Sequence, residues 1–257
     1  PRTRHLSNLA NINDVKDFNL MVTKADLILS ILPPANALNI AERVTSVLNE
    51  TDHKTVFVDC NAISPGSAKI IDSMISNTGS KFIDASIVGS PPGKGTSPRI
   101  YVSGRESDLM KPINGPNITV ISLGDTIGQA SGIKMCYAAL TKGTSALQIA
   151  LLTAAKRMGL SEELTQELMF SQSETYRNME RNIPSLPMNA GRWVGEMEEI
   201  ASTFEQVGIP GNFHLGAAEI FDRINNCQFG KETPENFDSN RTLNETISIL
   251  AESLILG

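Results

Sequence analysis

The chain has 257 residues, 40% hydrophobic and 19% charged, with a net charge of −6. That length supports a buried core in one large domain or two smaller ones. The acidic balance argues against nucleic acid as a partner, because phosphate binding needs a basic surface, and no apolar run reaches the ~18 residues of a membrane span. Cys60, Cys136 and Cys227 stand far apart, with no CxxC pair and no metal-ligand spacing. The simplest expectation is a reduced, cytoplasmic protein without a metal. Pro1 is not an initiator, so a processed chain or a fragment is expected, and no glycine precedes Gly66.

The first half alternates strand-like and helix-like segments. "ADLILSILPP" (25–34) is an apolar run stopped by Pro33-Pro34, as in a buried parallel strand ending in a loop. "ANALNIAERVTSVL" (35–48) has helical spacing, and "KTVFVDCN" (54–61) is a second strand. "SPGSAKIIDSMISN" (64–77) opens with Ser then Pro, a good helix start. "KFIDASIVG" (81–89), "RIYVSG" (99–104) and "NITVISLG" (117–124) supply three more strands. This alternation predicts a doubly wound α/β sheet.

The second half is helical. A long proline-free pattern runs from about Gly128 to Gly159. "SEELTQELMFSQSETYRNMER" (161–181) is amphipathic, with Ser161 as its expected cap and Glu162 and Glu163 favouring its start. Further helices are expected at 192–208, 216–226 and 243–256. The plan is an α/β domain over residues 1–124 and an all-helical domain over 125–257.

Lys134 raises the first chemical question. It sits among Ile133, Met135, Cys136, Ala138 and Ala139, and lysine is expensive to bury. At about 100° per residue, Ser131, Lys134, Tyr137, Thr141 and Ser145 share one stripe. One polar stripe on a mostly apolar helix reads as a lined cleft, where desolvation lowers a lysine's pKa and suits acid/base work. The alternative is a lysine that snorkels to the surface.

Other candidates are the strand ends, because ligands of parallel sheets bind beyond them. Those ends carry Leu32-Pro33-Pro34, Asp59-Cys60-Asn61 and Val88-Gly89-Ser90, with ordinary loop chemistry as the competing reading. The Gly/Pro/Ser loop "SPPGKGTSP" (90–98) is long enough to wrap a small ligand but lacks P-loop spacing. In "RWVGEMEEI" (192–200), Glu196 and Glu199 are a turn apart. They serve acid/base work, hold a lysine, or line a solvated helix face. His214 stands alone near a helix start, as a structural or surface residue does.

The order "LILSILPP", "FVDCNAISP", "FIDASIVGSPPGKG", "IGQASGIKMCYAALTKG" and "RWVGEMEEIASTFEQVGIP" resembles the beta-hydroxyacid dehydrogenase superfamily, in its 6-phosphogluconate dehydrogenase-like branch, to about residue 226. The resemblance implies a Rossmann-type NAD(P)-binding domain, a helical domain that forms a homodimer, and hydride transfer to or from a small hydroxyacid. It implies that Lys134 is the catalytic acid/base in the interdomain cleft. It places Leu32, Pro33, Pro34 and Asn61 at the cofactor, and Val88, Gly89, Ser90, Tyr137, Thr141 and Glu196 at the substrate.

The departures matter. The family's Ser-Gly-Gly loop is Val88-Gly89-Ser90, the asparagine four residues after the lysine is Ala138, and the later Lys-Asp pair aligns with Gly195-Glu196. The opening strand–glycine loop–helix–strand unit has no counterpart, so the Rossmann domain reads as incomplete and weak or no dinucleotide binding is expected. "PRTRHLSNLA" resembles the stretch after the second strand, where Arg2, Thr3 and Arg4 would meet a 2′-phosphate and favour NADP over NAD. The competing expectation is a truncated or non-catalytic dimeric homologue that has lost dinucleotide binding.

Overall fold

The computed structural model describes residues 2–90 and 97–253; the side chain of Arg2 lies outside it. The chain divides into two compact units, residues 1–61 with 65–131, and residues 62–64 with 132–257.

The first unit is built on a five-stranded sheet. Its strands are β1 (Leu27–Ser30), β2 (Val56–Asp59), β3 (Lys81–Val88), β4 (Arg99–Ser103) and β5 (Thr119–Ser122), in that spatial order. Pairs β1–β2, β2–β3 and β4–β5 are parallel, and β3–β4 is antiparallel. A wholly parallel sheet is therefore not what forms. Residues 89–98 between β3 and β4 are fewer than the dozen or so that a parallel crossover needs. Val58, Ile83, Ala85 and Val102 make the centre of the sheet's core.

Helices α1 (Arg2–Leu9) and α2 (Phe18–Lys24) precede β1. The sequence pattern does not announce either one. The described side chains of α1 bury nothing fully, and Asp17 caps α2 by accepting from the Leu20 N–H at 3.1 Å. Helix α3 (Ala37–Asn49) follows β1 and buries Ala37, Ala41, Val44 and Leu48, a regular helical stripe. Helix α4 (Pro65–Ser76) follows β2 and packs on α3, burying Ala68, Ile71 and Ile75.

Helix α5 (Gln129–Met158) is 30 residues long, and the division between the units falls within it, after Ser131. The second unit continues with α6 (Ser161–Ser171), α7 (Ser173–Asn182), α8 (Pro187–Gln206), α9 (Asn212–Asn225) and α10 (Leu243–Ser253). The single amphipathic helix expected at 161–181 is two helices that break at Gln172 (φ −136°, ψ 39°). The stripe Leu164, Leu168, Tyr176, Met179 lapses in the polar run 171–175, where hydroxyl side chains compete with the helix backbone. Ser161 is the first helical residue rather than the cap. Met135, Ala138, Ile149, Met197, Ile200 and Phe221 lie in one core, and Trp193 meets Phe221 edge-on at 5.2 Å.

Candidate active site

At the carboxyl ends of β1 and β2, Asn61 is buried, with both its amide protons and one lone pair of its oxygen engaged. Its Oδ1 accepts from the Leu32 N–H at 2.5 Å, and its Nδ2 donates to Asp59 Oδ2 at 2.8 Å and Ser30 Oγ at 3.0 Å. Both amide protons are spent inside the protein, so Asn61 pins the β1 loop and has none left for a cofactor amide. The loop it holds is apolar and open: Ile31 and Leu32 are exposed, and Pro33 and Pro34 turn the chain into α3. Cys60 is buried between the same strands. Burial, then the Asp59 and Asp84 carboxylates, push its thiol up to about 12.

The substrate loop expected after β3 splits. Val88 is in the core at 3% exposure, so its side chain faces no ligand. Gly89 (φ 112°) turns the chain out in a conformation that only glycine adopts readily, and Ser90 is exposed. Residues 91–96 of the 90–98 loop lie outside the described residues.

Asp84, in mid-β3, was not singled out by the sequence. It is 1% exposed and accepts four hydrogen bonds: Ser103 Oγ at 2.8 Å, the Gly128 N–H at 2.9 Å, the Ser131 N–H at 3.1 Å and Ser131 Oγ at 2.6 Å. A carboxylate here satisfies the open N–H groups at the start of α5 and complements its positive end. Ser131 therefore leaves the open polar stripe expected of it and is fully buried against Asp84.

The rest of the stripe lies in the second unit. Lys134 is half-buried, and Tyr137 and Thr141 are exposed. The Thr141 hydroxyl donates to the Tyr137 carbonyl at 3.2 Å, and Ser145 Oγ donates to the Thr141 carbonyl at 2.9 Å. Two turns beyond Lys134 stands Lys142, 9% exposed. Its ammonium is bound by Glu196 Oε2 from α8, while Arg192 donates to Glu196 Oε1 at 2.6 Å. Lys142 Nζ also lies 5.8 Å from the centre of the Trp193 ring. Glu196 is 1% exposed, so it does not line a solvated face. Of the roles open to it, holding a lysine is the one seen, and both its oxygens are engaged. Glu199 Oε2 accepts from the Ser64 N–H at 2.6 Å.

These charges act on Lys134. Burial lowers its pKa most, the Lys142 ammonium next, with Glu196 opposing and Arg192 adding to the fall. Lys142 is also lowered by burial, against the pull of Glu196. Lys142 had a sequence signal: positions i and i+8 on a helix share a face. Its partner Glu196, 54 residues away, had a signal as a clustered carboxylate able to hold a lysine, but nothing in the sequence says which lysine.

Thr3 and Arg4, the other candidates for a cofactor phosphate, lie in α1. Arg4 Nε donates to Asp14 Oδ2 at 2.9 Å in an exposed pair, while the side chain of Arg2 lies outside the described residues. His214 is buried against Phe204, ring centres 4.4 Å apart, and its pKa falls through burial. Among the described residues no three His, Cys, Asp or Glu side chains are grouped to hold a metal ion, and no helix is long and apolar enough to cross a membrane.

Two family models match this chain. The NAD binding domain of 6-phosphogluconate dehydrogenase matches residues 3–113, and a domain of unknown function (DUF1932) matches residues 155–224. The chain is 25% identical over 167 residues, 65% of its length, to an uncharacterized 28.5 kDa protein from the 7S RNA 5′ region of Methanothermus fervidus. It is 26% identical over 182 residues, 66% of its length, to the mitochondrial 3-hydroxyisobutyrate dehydrogenase of Drosophila melanogaster. The matches span 62% and 55% of those two proteins. Among solved structures it resembles a conserved protein of unknown function noted for its similarity to 3-hydroxyacid dehydrogenases. That match has a TM-score of 0.61 and 28% identity, over 88% of this chain and 84% of the other.

Proposed function

The chain belongs to the beta-hydroxyacid dehydrogenase superfamily, in its 6-phosphogluconate dehydrogenase-like branch, and from that premise we propose that it is an NAD(P)-dependent oxidoreductase of a small hydroxyacid with Lys134 as its acid/base. The observation that carries the proposal is the lysine pair on α5. Lys142 is paired with Glu196, and Lys134, half-buried, loses proton affinity first to burial and then to the Lys142 ammonium.

The strand ends fit the nicotinamide end of a dinucleotide. Leu32, Pro33 and Pro34 offer an apolar wall beyond β1, fixed by Asn61, where ligands of parallel sheets lie. No glycine precedes Gly66, so no pyrophosphate-binding turn is assigned within this chain. Arg4 favours a 2′-phosphate, and with it NADP, only if that ligand displaces its exposed pair with Asp14, which costs little.

A bound nicotinamide supplies the hydride chemistry. The chain's own residues handle the proton. In oxidation, neutral Lys134 Nζ takes the proton of the substrate hydroxyl; in reduction, the ammonium returns it to the carbonyl oxygen. The lowered pKa makes the neutral amine available at lower pH than an ordinary lysine allows. Glu196 works as a positioning residue, holding Lys142 and Arg192, instead of touching substrate. Ser90, the Gly89 backbone, Tyr137 and Thr141 remain the proposed substrate contacts, and a homodimer through the helical unit is the proposed assembly.

The test is NADPH titration of the protein followed by a hydroxyacid panel with both cofactors. Saturable binding and turnover of at least one hydroxyacid are expected. Absence of both favours the competing homologue that no longer binds a dinucleotide.

A further inference from the structure

A cleft of about 740 Å³ lies in the second unit, between α5 and the α7–α8 segment, within the roughly 300–1,000 Å³ range of small-molecule sites. We propose that this cleft is a binding site for a polyhydroxylated small molecule, a polyol or sugar-like chain. Four side-chain amides line it: Gln148, Asn178, Asn182 and Asn189. Asn178 and Asn189 give their Oδ1 to Arg181 and Arg192, which leaves their amide N–H groups as donors. The hydroxyls of Thr141, Ser145 and Ser185 donate to their own backbone at 3.2, 2.9 and 3.2 Å, which leaves their oxygens as acceptors. The side chains of Thr144, Gln148 and Asn182 have no partner among the described residues and supply both kinds of group.

The wall therefore offers both donors and acceptors. A ligand hydroxyl both donates and accepts, so a chain of hydroxyls matches this wall; a carboxylate, which only accepts, matches half of it. Charge points the same way. Lys142 is the one charged residue of the lining, and it is already paired with Glu196. Trp193, beneath the Lys142 ammonium, adds an aromatic surface for the ligand's C–H faces. That the bound molecule is also the one oxidised rests on the hydroxyacid reading; its binding does not.

Trp193 is the chain's only tryptophan, so its fluorescence reports on this cleft. The protein is titrated without cofactor against glucitol, gluconate and 3-hydroxybutyrate. Saturable changes are expected for glucitol and gluconate, with affinities within about threefold of each other, and binding about tenfold or more weaker for 3-hydroxybutyrate. Asn182→Leu and Gln148→Leu, each with unchanged circular dichroism, are expected to weaken glucitol binding about tenfold. No saturable glucitol response, a preference of tenfold or more for the short acid, or full affinity in both variants overturns the proposal. Glucitol binding without hydroxyacid turnover keeps this site and sinks the oxidoreductase reading; turnover without glucitol binding does the reverse.

Discussion

Replacing Glu196 by Gln removes the one carboxylate that compensates Lys142. The Lys142 side chain is 11% exposed and that of Glu196 is 2% exposed, so water does not take over the lost interaction. Breaking a buried pair from one side costs about 3–5 kcal/mol. The lower end is taken here, because a lysine left without its partner can release its proton instead of carrying a bare buried charge. Arg192, half-exposed, adds little. A loss of about 3 kcal/mol lowers the unfolding midpoint by roughly 6–12 °C. The sign with pH follows from a lysine whose folded pKa is depressed. Below that pKa the folded variant must carry a bare buried charge, and the penalty is full. As pH rises through it, the folded state becomes neutral first and stability returns relative to the parent. Urea unfolding at pH 7 and at pH 9 to 10 measures both effects. A loss under about 1 kcal/mol at pH 7, with no recovery at high pH, refutes the idea that this pair is desolvated.

Asp84→Ala leaves two hydroxyls and two backbone N–H groups without their acceptor, and is expected to cost about 3–5 kcal/mol in chemical denaturation, with Asp84→Asn costing less. A value for Asp84→Ala within 1 kcal/mol of the parent contradicts the role given to it at the start of α5. Among the cysteines, exposed Cys136 is expected to react first with a thiol reagent at pH 8. Buried Cys60, pushed up to about 12, reacts only after unfolding. Mass mapping of the labelled peptides checks the order, and early labelling of Cys60 contradicts its burial.

Local pattern carried most of the architecture. "LILS" and "VFVD" are short apolar runs closed by turn chemistry, and they are β1 and β2. The proline-free stretch from Gly128 to Gly159 is α5 almost to the residue, because nothing in it breaks a helix. The antiparallel direction of β4 is not legible, because alternation of strands says nothing about pairing where no helix intervenes. The break at Gln172 was missed because period alone outvoted a polar run of five residues. The half-burial of Lys134 was legible from its neighbours: a lysine among apolar residues has to be accounted for. Its setting was not. The burial of Lys142 is legible only once α8 brings Glu196 to it, and the role of Asp84 only once Gly128 and Ser131 place their N–H groups on it. Asn61 is the opposite case: its chemistry suits a ligand, but Asp59 and Ser30 take both its amide protons and the Leu32 N–H donates to its oxygen.

The central claim is that Lys134 carries the proton, and the pH dependence of hydroxyacid oxidation in the parent and in Lys134→Ala tests it most directly. In the parent, kcat is expected to rise with pH through a limb whose midpoint lies below the ordinary lysine value, because oxidation needs the neutral amine. The variant is expected to lose that limb and about 100-fold or more in kcat, with its fold and NADPH binding intact. A variant that keeps both the limb and its turnover within a few-fold removes Lys134 from the mechanism.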